Sequence, residues 1–398
     1  MLKGKRILLG ITGGIAAYKA VEIVSRLRKL HAEVKVIMTD AAKEFVTPLT
    51  FQTMSGNVVH NEMFNQLYNM DVEHISLAKW ADLILVAPAS ANTIAKIRYG
   101  IADNMLTTVL LARRCPLVLA PAMNTVMYEQ SINKENILHL QNNGVYFLEP
   151  GEGLLACGDT GAGKMMDPID IIERLEMIVS KKDLEGKNIA ITAGPTKERF
   201  DPVRFVSNHS SGKMGYALAE AARNRGANVT LISGPTNLKK PWGIDFVQVE
   251  STQDMFKAVE NCFDKIDILI KAAAPSDFRP AEYKEEKIKK SGKETLSIEL
   301  QPNPDIAKHF GKIKKNQTIV GFAAESHNLE EHAKRKMQEK GFDFIVANNI
   351  TQEGAGFNSD TNIVEIFESN GKKHSIPQIP KTELAEVILD LVKERVKS

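Results

Sequence analysis

The chain has 398 residues, 43% hydrophobic and 25% charged, with a formal net charge of +2; these are the proportions of a soluble globular protein long enough for two or three domains. So balanced a charge gives no general reason to expect nucleic acid or a membrane surface as partner, and no apolar run approaches the ~18 residues of a membrane helix. Three cysteines, Cys115, Cys157 and Cys262, make neither a C-x-x-C pair nor a histidine-flanked ligand spacing, which argues against a disulfide framework and a structural zinc site.

The chain opens Met-Leu-Lys-Gly-Lys and enters a strand without the succession of a signal peptide, so a cytoplasmic protein is expected. Apolar runs bounded by turn residues predict strands at 6–11, 34–38, 83–87, 117–120 and 145–148. Between them lie helical patterns, at 17–30 with Val21, Val24, Leu27 and Leu30 on one stripe, and at 105–112. Near-continuous apolar strands alternating with helices mean a parallel sheet covered on both faces, a doubly wound α/β fold. Ligands of such sheets bind beyond the carboxyl ends of the strands. The candidate positions are therefore Thr12-Gly13-Gly14, Thr39-Asp40, the segment 88–92 with Ser90 and Asn92, the segment 121–124 with Met123 and Asn124, and the glycines after Pro150. The glycine spacing is not G-x-G-x-x-G, and no acidic residue ends the second strand to take a ribose hydroxyl, so a mononucleotide such as a flavin fits better than NAD.

Ile169, Ile172, Leu175 and Ile178 predict a closing helix over 166–182, and 180–186 reads as a polar linker. Residues 187–215 are a second beginning: an apolar run, Gly194-Pro195-Thr196, then a polar loop with Arg199, Arg204, Asn208, His209 and Lys213 before a new helical pattern. Strands follow at 189–193, 229–233, 246–249, 266–274, 318–323 and 344–347, helices at 215–225, 252–263 and 329–340, and a hairpin around Asn370-Gly371 before a last helix from Thr382. Residues 275–304, with four prolines and a lysine-rich run, are long for a loop in a compact domain and suggest a lid or binding arm.

Gly158 to Lys164 matches the first seven positions of a P-loop, but Met165 cannot coordinate Mg²⁺ as Ser or Thr does, and no helix follows at once; a glycine-rich flap is the better reading. Cys157 heads that flap. A cysteine is by default a small buried hydrophobe, though a flap is a poor place to bury one. His74 beside acids reads first as a surface residue, and Asn124 as a turn former on the ligand side of the sheet. Lys287, Lys289 and Lys290 are either a solvated loop or a clamp over phosphates, with Lys336 and Lys340, one helical turn apart, as added members.

Taken together, Thr12 to Lys19, His74, the run Pro121-Ala-Met-Asn-Thr-Val-Met127 and Ala156-Cys-Gly-Asp159 resemble the homo-oligomeric flavin-containing cysteine decarboxylases. Ala193 to Thr196, Ser207 to Gly215, Lys287 to Lys290, Asn303 to Ile306 and Gly321 to Glu325 are similar to phosphopantothenate-cysteine ligase. Their order over essentially the whole chain is that of the bifunctional coenzyme A biosynthesis family. The resemblance implies two doubly wound Rossmann-like domains: a flavodoxin-like decarboxylase over 1–180, a linker over 181–186 and a CTP-dependent ligase over 187–398. It implies FMN at Gly13, Gly14, Thr39, Ser90, Asn92 and Met123, with His74 as base, Asn124 on the substrate carboxylate and Cys157 as proton donor. It implies CTP, with Mg²⁺ on its phosphates, at Ala273, Asp277, Lys287, Asn303, Pro304, Asp305, Ile306, Phe322, Lys336 and Lys340, and Asn208 orienting the activated carbonyl. Substrates would be 4'-phosphopantothenate, cysteine and CTP. His74 would belong to a site between subunits, with trimeric decarboxylase and dimeric ligase contacts composing a dodecamer. The protein ligands of Mg²⁺ and the roles of Arg199 and Arg204 stay unassigned. A flavin- or NAD-linked dehydrogenase with a fused nucleotide-binding domain is the alternative enzyme reading, and a flavin-binding sensor the non-enzymatic one.

Overall fold

A strand such as Leu83–Ala89, buried at every position, has no polar side to turn to water and must be covered on both faces. The computed structural model, which describes residues 2–63, 72–156, 158–289, 296–325, 329–349 and 359–396, has two units built on this plan, Met1–Ser180 and Lys181–Ser398.

The first unit has a parallel sheet of β1 (Arg6–Ile11), β2 (Glu33–Met38), β3 (Val59–His60), β4 (Leu83–Ala89), β5 (Leu117–Pro121) and β6 (Tyr146–Phe147), in the order β3-β2-β1-β4-β5-β6. Without the two-residue β3, this is the flavodoxin-like order. One face takes the stripe Ala20, Ile23, Val24 and Leu27 of helix Ala17–Lys29 together with Ile171 and Leu175 of Pro168–Val179. The other takes Leu106, Val109 and Leu110 of Met105–Ala112. An antiparallel hairpin, β7 (Gly151–Leu154) with β8 (Thr160–Lys164), stands apart from the sheet. Most of the P-loop-like segment is therefore itself a strand, and the next helix starts only at Pro168, capped by Asp167, whose Oδ1 accepts the Ile169 N–H at 3.0 Å.

The second unit's strands are β9 (Asn188–Ala193), β10 (Lys197–Arg199), β11 (Phe205–Ser207), β12 (Asn228–Ser233), β13 (Asp245–Gln248), β14 (Ile268–Lys271), β15 (Phe278–Pro280), β16 (Leu300–Pro302), β17 (Thr318–Glu325), β18 (Phe344–Asn349), β19 (Thr361–Glu368) and β20 (Lys373–Pro380). Eight form one sheet, β13-β12-β9-β14-β17-β18-β19-β20, parallel up to β18 and antiparallel beyond it. Helices Lys213–Asn224 and Lys381–Val396 cover the face of Ile189, Ile191, Ile268 and Ile270. Helices Thr252–Phe263, Ile306–Ile313 and Leu329–Lys340 cover the face of Leu269 and Ile319.

Three expectations change. The stretch 181–186 is not a free linker: Leu184 is fully buried in the second unit's core, and Asp183 holds the buried Arg225 guanidinium at 2.8 Å. The strand expected over 266–274 ends at Lys271, because the chain leaves the sheet to meet the loop after β9, where the Ala274 N–H donates to the Gly194 carbonyl at 2.9 Å. The arm 275–304 contains a paired segment, β15 with β16. No helix among the described residues is long and apolar enough to cross a membrane.

Candidate active sites

In the first unit the chain reverses its direction of travel between β1 and β4, which leaves a crevice at their carboxyl ends. Thr12 ties its two sides: its hydroxyl donates to the Pro88 carbonyl at 2.8 Å and accepts the Ser90 N–H at 2.9 Å. Gly13 packs on Ala41, where an added Cβ would come within 2.5 Å of the alanine Cβ. Thr39 donates both its N–H and its hydroxyl to the Ile11 carbonyl. Ser90 caps helix Ala91–Tyr99, whose first turn exposes Asn92.

Beside the crevice lies a cavity of about 460 Å³ lined by Gly14, Met123, Asn124 and the flap residues Leu154, Leu155 and Gly163, within the size range of small-molecule sites. The flap docks backbone to backbone, the Met123 N–H donating to the Gly163 carbonyl at 3.0 Å. Only glycine permits this: φ at Gly163 is 144°, and a Cβ there would stand 2.3 Å from the Met123 carbonyl oxygen. Asn124 accepts the Val126 N–H at 2.8 Å and donates to Asp159 across the flap at 2.6 Å. Lys19 and Lys164 also line the cavity, and none of the described lining residues is acidic, which suits an anionic ligand with a flat apolar body. Its rim exposes Ile15, Tyr18 and Leu154, by 58, 59 and 71%. His74 stands partly buried on helix Glu73–Trp80 and does not line this cavity; its neighbour Glu73 is engaged by His60. Cys157 lies outside the described residues; of the flap residues that are described, Gly158 donates its N–H to the Leu155 carbonyl at 2.9 Å. The other two cysteines are only partly exposed, and burial pushes the Cys115 and Cys262 thiols up, as fits inert core residues.

The second unit has its own reversal, between β9 and β14, and two cavities open there. The first, about 180 Å³, gathers Ala273, Asp277 and Phe322 with Asn303, Pro304, Asp305 and Ile306 at the start of one helix and Lys336 and Lys340 from another. Asn303 is fixed by donating to the Ser276 carbonyl at 2.9 Å and accepting from Arg279 at 3.1 Å. Asp305 pairs with Lys340 at 3.0 Å. Burial works to raise its carboxyl, but the Lys308 N–H and the Lys340 and Lys271 ammonium groups hold it below its usual range.

The second cavity, about 440 Å³, lies over the loop Asn208 to Lys213 and includes Lys381. Asn208 donates to the Pro275 carbonyl at 3.0 Å. Lys381 is pushed down by burial and by Lys213, against Asp360. Ala273 and Phe322 line both cavities. Lys287 is exposed and lines neither; Lys290 lies outside the described residues. Among the described residues no group of three or more His, Cys, Asp or Glu side chains could hold a metal ion.

Residues without a role in the sequence reading acquire one here. Arg204 grips the buried Asp201 at 2.7 Å and donates to the Ile288 carbonyl at 2.6 Å, while the Ile288 N–H donates to Asp201 at 3.2 Å. Burial opposes ionisation of Asp201, yet the Val203 N–H, Arg204 and the Ile288 N–H together hold its carboxyl well below the usual range. The lysine-bearing arm is thus pinned between Lys287 and Lys289. Arg199 pairs with Glu250 at 2.5 Å and stays outside both cavities. Lys271, a lone lysine inside the apolar run Ile268 to Ala274, also lines the smaller cavity.

The Flavoprotein family matches residues 1–180, and the DNA/pantothenate metabolism flavoprotein C-terminal domain family matches residues 184–396. Over 397 residues the chain is 48% identical to the Coenzyme A biosynthesis bifunctional protein CoaBC of Haemophilus influenzae, covering 99% of this chain and 98% of that one. Over 393 residues it is 47% identical to the protein of the same name from Bacillus subtilis, covering 98% and 97%. The crystal structure of the C-terminal domain of Coenzyme A biosynthesis bifunctional protein CoaBC aligns at 42% identity with a TM-score of 0.48, over 55% of this chain and 99% of that chain.

Proposed function

The chain belongs to the coenzyme A biosynthesis bifunctional protein family, and from that premise we propose how each unit does its share of the work. It is an enzyme with two activities, phosphopantothenate-cysteine ligase and phosphopantothenoylcysteine decarboxylase. The ligase belongs to Lys181–Ser398 and the decarboxylase to the flavoprotein unit.

The observation that carries the ligase reading is the wall shared by two cavities at Ala273 and Phe322. A nucleotide in the smaller cavity and 4'-phosphopantothenate in the larger would meet there. The larger suits the latter's phosphate, with the start of helix Lys213–Asn224 and the lysines Lys213 and Lys381. The pantothenate carboxylate attacks the α-phosphorus of CTP and pyrophosphate leaves; the cysteine amine then attacks the acyl carbon and CMP leaves. Asn208 orients the acyl carbonyl for the second step. Lys287 on its anchored arm, with Mg²⁺ arriving on the triphosphate, neutralises charge on the leaving pyrophosphate.

In the flavoprotein unit, Gly13, Gly14, Thr39, Ser90, Asn92 and Met123 would hold FMN across the crevice and the flap cavity. The flap cavity, whose described lining holds no acidic residue and a largely apolar wall, fits such a group. Bound FMN supplies the reversible two-electron oxidation of the cysteinyl thiol that gives the departing CO₂ an electron sink. Asn124, kept in place by Asp159, holds the substrate carboxylate. His74 takes the proton in the oxidative stage and Cys157 returns one at the end. The exposed apolar rim of the cavity is unusual for a monomer's surface and supports a homo-oligomer in which His74 completes the site of a second copy.

The test is direct. The purified protein should be yellow and should release pyrophosphate from CTP with 4'-phosphopantothenate. A colourless protein under native conditions would sink the decarboxylase assignment, and pyrophosphate release with ATP but not CTP would remove the cytidylate chemistry.

A further inference from the structure

We infer that Asn133 is a positioning residue of the decarboxylase, its side-chain amide stapling both ends of the segment 123–128 so that Asn124 and the seat of the flap stay in register. This rests on the decarboxylase reading above and adds the residue that holds its substrate-binding turn from behind.

The segment needs a hold from outside itself. Helix Thr125–Glu129, which Asn124 caps, has five residues and none of them is fully buried; helices shorter than ~12–15 residues are marginal in water on their own. Yet the flap rests on this helix and its cap at three points. Asn124 donates to Asp159 at 2.6 Å, and the Met123 N–H donates to the Gly163 carbonyl at 3.0 Å. At Gly161, where φ is 154°, a Cβ would stand 2.7 Å from the Thr125 Cγ2. Gly161 and Gly163 thus close on the two chain neighbours of Asn124. Any shift of the segment moves Asn124 and the flap together.

Asn133 supplies that hold. It lies in the first turn of the next helix, Ser131–Asn142, and is only 5% exposed. Its Nδ2 donates to the Met123 Sδ at 3.3 Å and to the Tyr128 carbonyl at 3.4 Å, so the two protons of one amide nitrogen reach both ends of the segment. Turning the amide over would set its oxygen against a carbonyl and a thioether, two acceptors, so the partners themselves fix its orientation. Met123 and Tyr128 also pack on the core of Ile137 and Leu140 from the same helix, which gives the staple a rigid base. The Asn133 Oδ1 is buried and has no partner among the described residues. An unpaired buried acceptor opposes folding. Stability therefore does not account for this amide; fixing where Met123 and Tyr128 stand does.

The experiment compares the full-length protein with Asn133→Leu, which keeps the side chain's shape without its donors, and Asn133→Ser, which keeps one short donor. Displacing a binding group by about 1 Å can cost ~10²-fold, so Asn133→Leu should lower kcat/KM for decarboxylation of supplied phosphopantothenoylcysteine by ~10- to 100-fold. It should retain its flavin and unfold no earlier than the unaltered protein, because a buried acceptor without a partner has been removed. Asn133→Ser should recover part of the rate. Hydrogen exchange should quicken at the Met123 amide in Asn133→Leu while the amides of β4 and β5 keep their protection. In a double-mutant cycle with Met123→Leu the two losses should combine to less than their product, since Asn133 acts through the Met123 sulfur. Unchanged decarboxylation in Asn133→Leu, fully multiplied losses, or loss of flavin with an earlier unfolding transition would each overturn the inference. If the unaltered protein does not decarboxylate phosphopantothenoylcysteine, the decarboxylase reading itself has failed, and exchange at the Met123 amide still decides whether Asn133 holds the segment.

Discussion

The cavity of Met1–Ser180 is walled by backbone and apolar side chains and rimmed by exposed Ile15, Tyr18 and Leu154. The paired cavities of Lys181–Ser398 are held instead by polar side chains with partners in the same unit: Asp305 with Lys340, Asn303 with Ser276, Lys213 with Asp360. The difference matches two kinds of chemistry. A flat flavin needs close backbone approach and exclusion of water, which glycines and a flap provide. Polyphosphate transfer needs charges fixed before the substrate arrives, because preorganised electrostatics carry most of the rate.

Five experiments break or sharpen this contrast. Cys157→Ser should leave ligation intact while lowering phosphopantetheine formation by ~10²–10⁴-fold, the usual weight of a positioned proton donor; unchanged output would remove Cys157 from its role. Arg225→Met strips a buried cation, 5% exposed, from Asp183 and Glu386. It should destabilise the second unit by about 3 kcal/mol, seen as a lowered unfolding transition, while flavin release from the first unit keeps its midpoint.

The same cluster carries a pH dependence. Burial opposes ionisation of Asp183, but Arg225 and Lys393 lower it from 3.8 to about 2. A depressed carboxylate stabilises the fold above its unfolded value and loses that contribution as pH falls through the folded one. The second unit should therefore lose stability between pH 3.8 and about 2, and Asp183→Asn should flatten that part of the profile.

Gly163→Val sets a side chain against the Met123 carbonyl and should displace the flap. The expected loss is about 10²-fold in decarboxylation with no change in pyrophosphate release. The smallest effect is expected for Asp201→Asn, which loosens the arm at Ile288: about 10-fold in ligase kcat, read by pyrophosphate release, with decarboxylation untouched.

Much of this was legible from residue order. Apolar runs at 6–11, 83–87 and 189–193 are strands because no partly polar element could bury them, and the small residues that follow line the crevices. Less legible were short elements whose pairing is not local. β3 is two residues long, and β15 finds β16 across some twenty residues that no periodicity marks. The helix Ile306–Ile313, which positions Asn303 to Asp305, was seen only as a motif. Arg204 reads as one charge of a polar loop, since nothing in its sequence neighbourhood points to Ile288, 84 positions away.

Sequence by itself determined the two-fold repeat of strand, loop and helix, the family, and the residue types at each crevice, because periodicity and motif order are local properties of the chain. Tertiary structure alone decided which of those residues share a cavity. It brought Ala273, Asp277, Asn303, Phe322, Lys336 and Lys340 to one cavity and left Lys287 outside it. Such convergence depends on the order in which strands pair across a sheet.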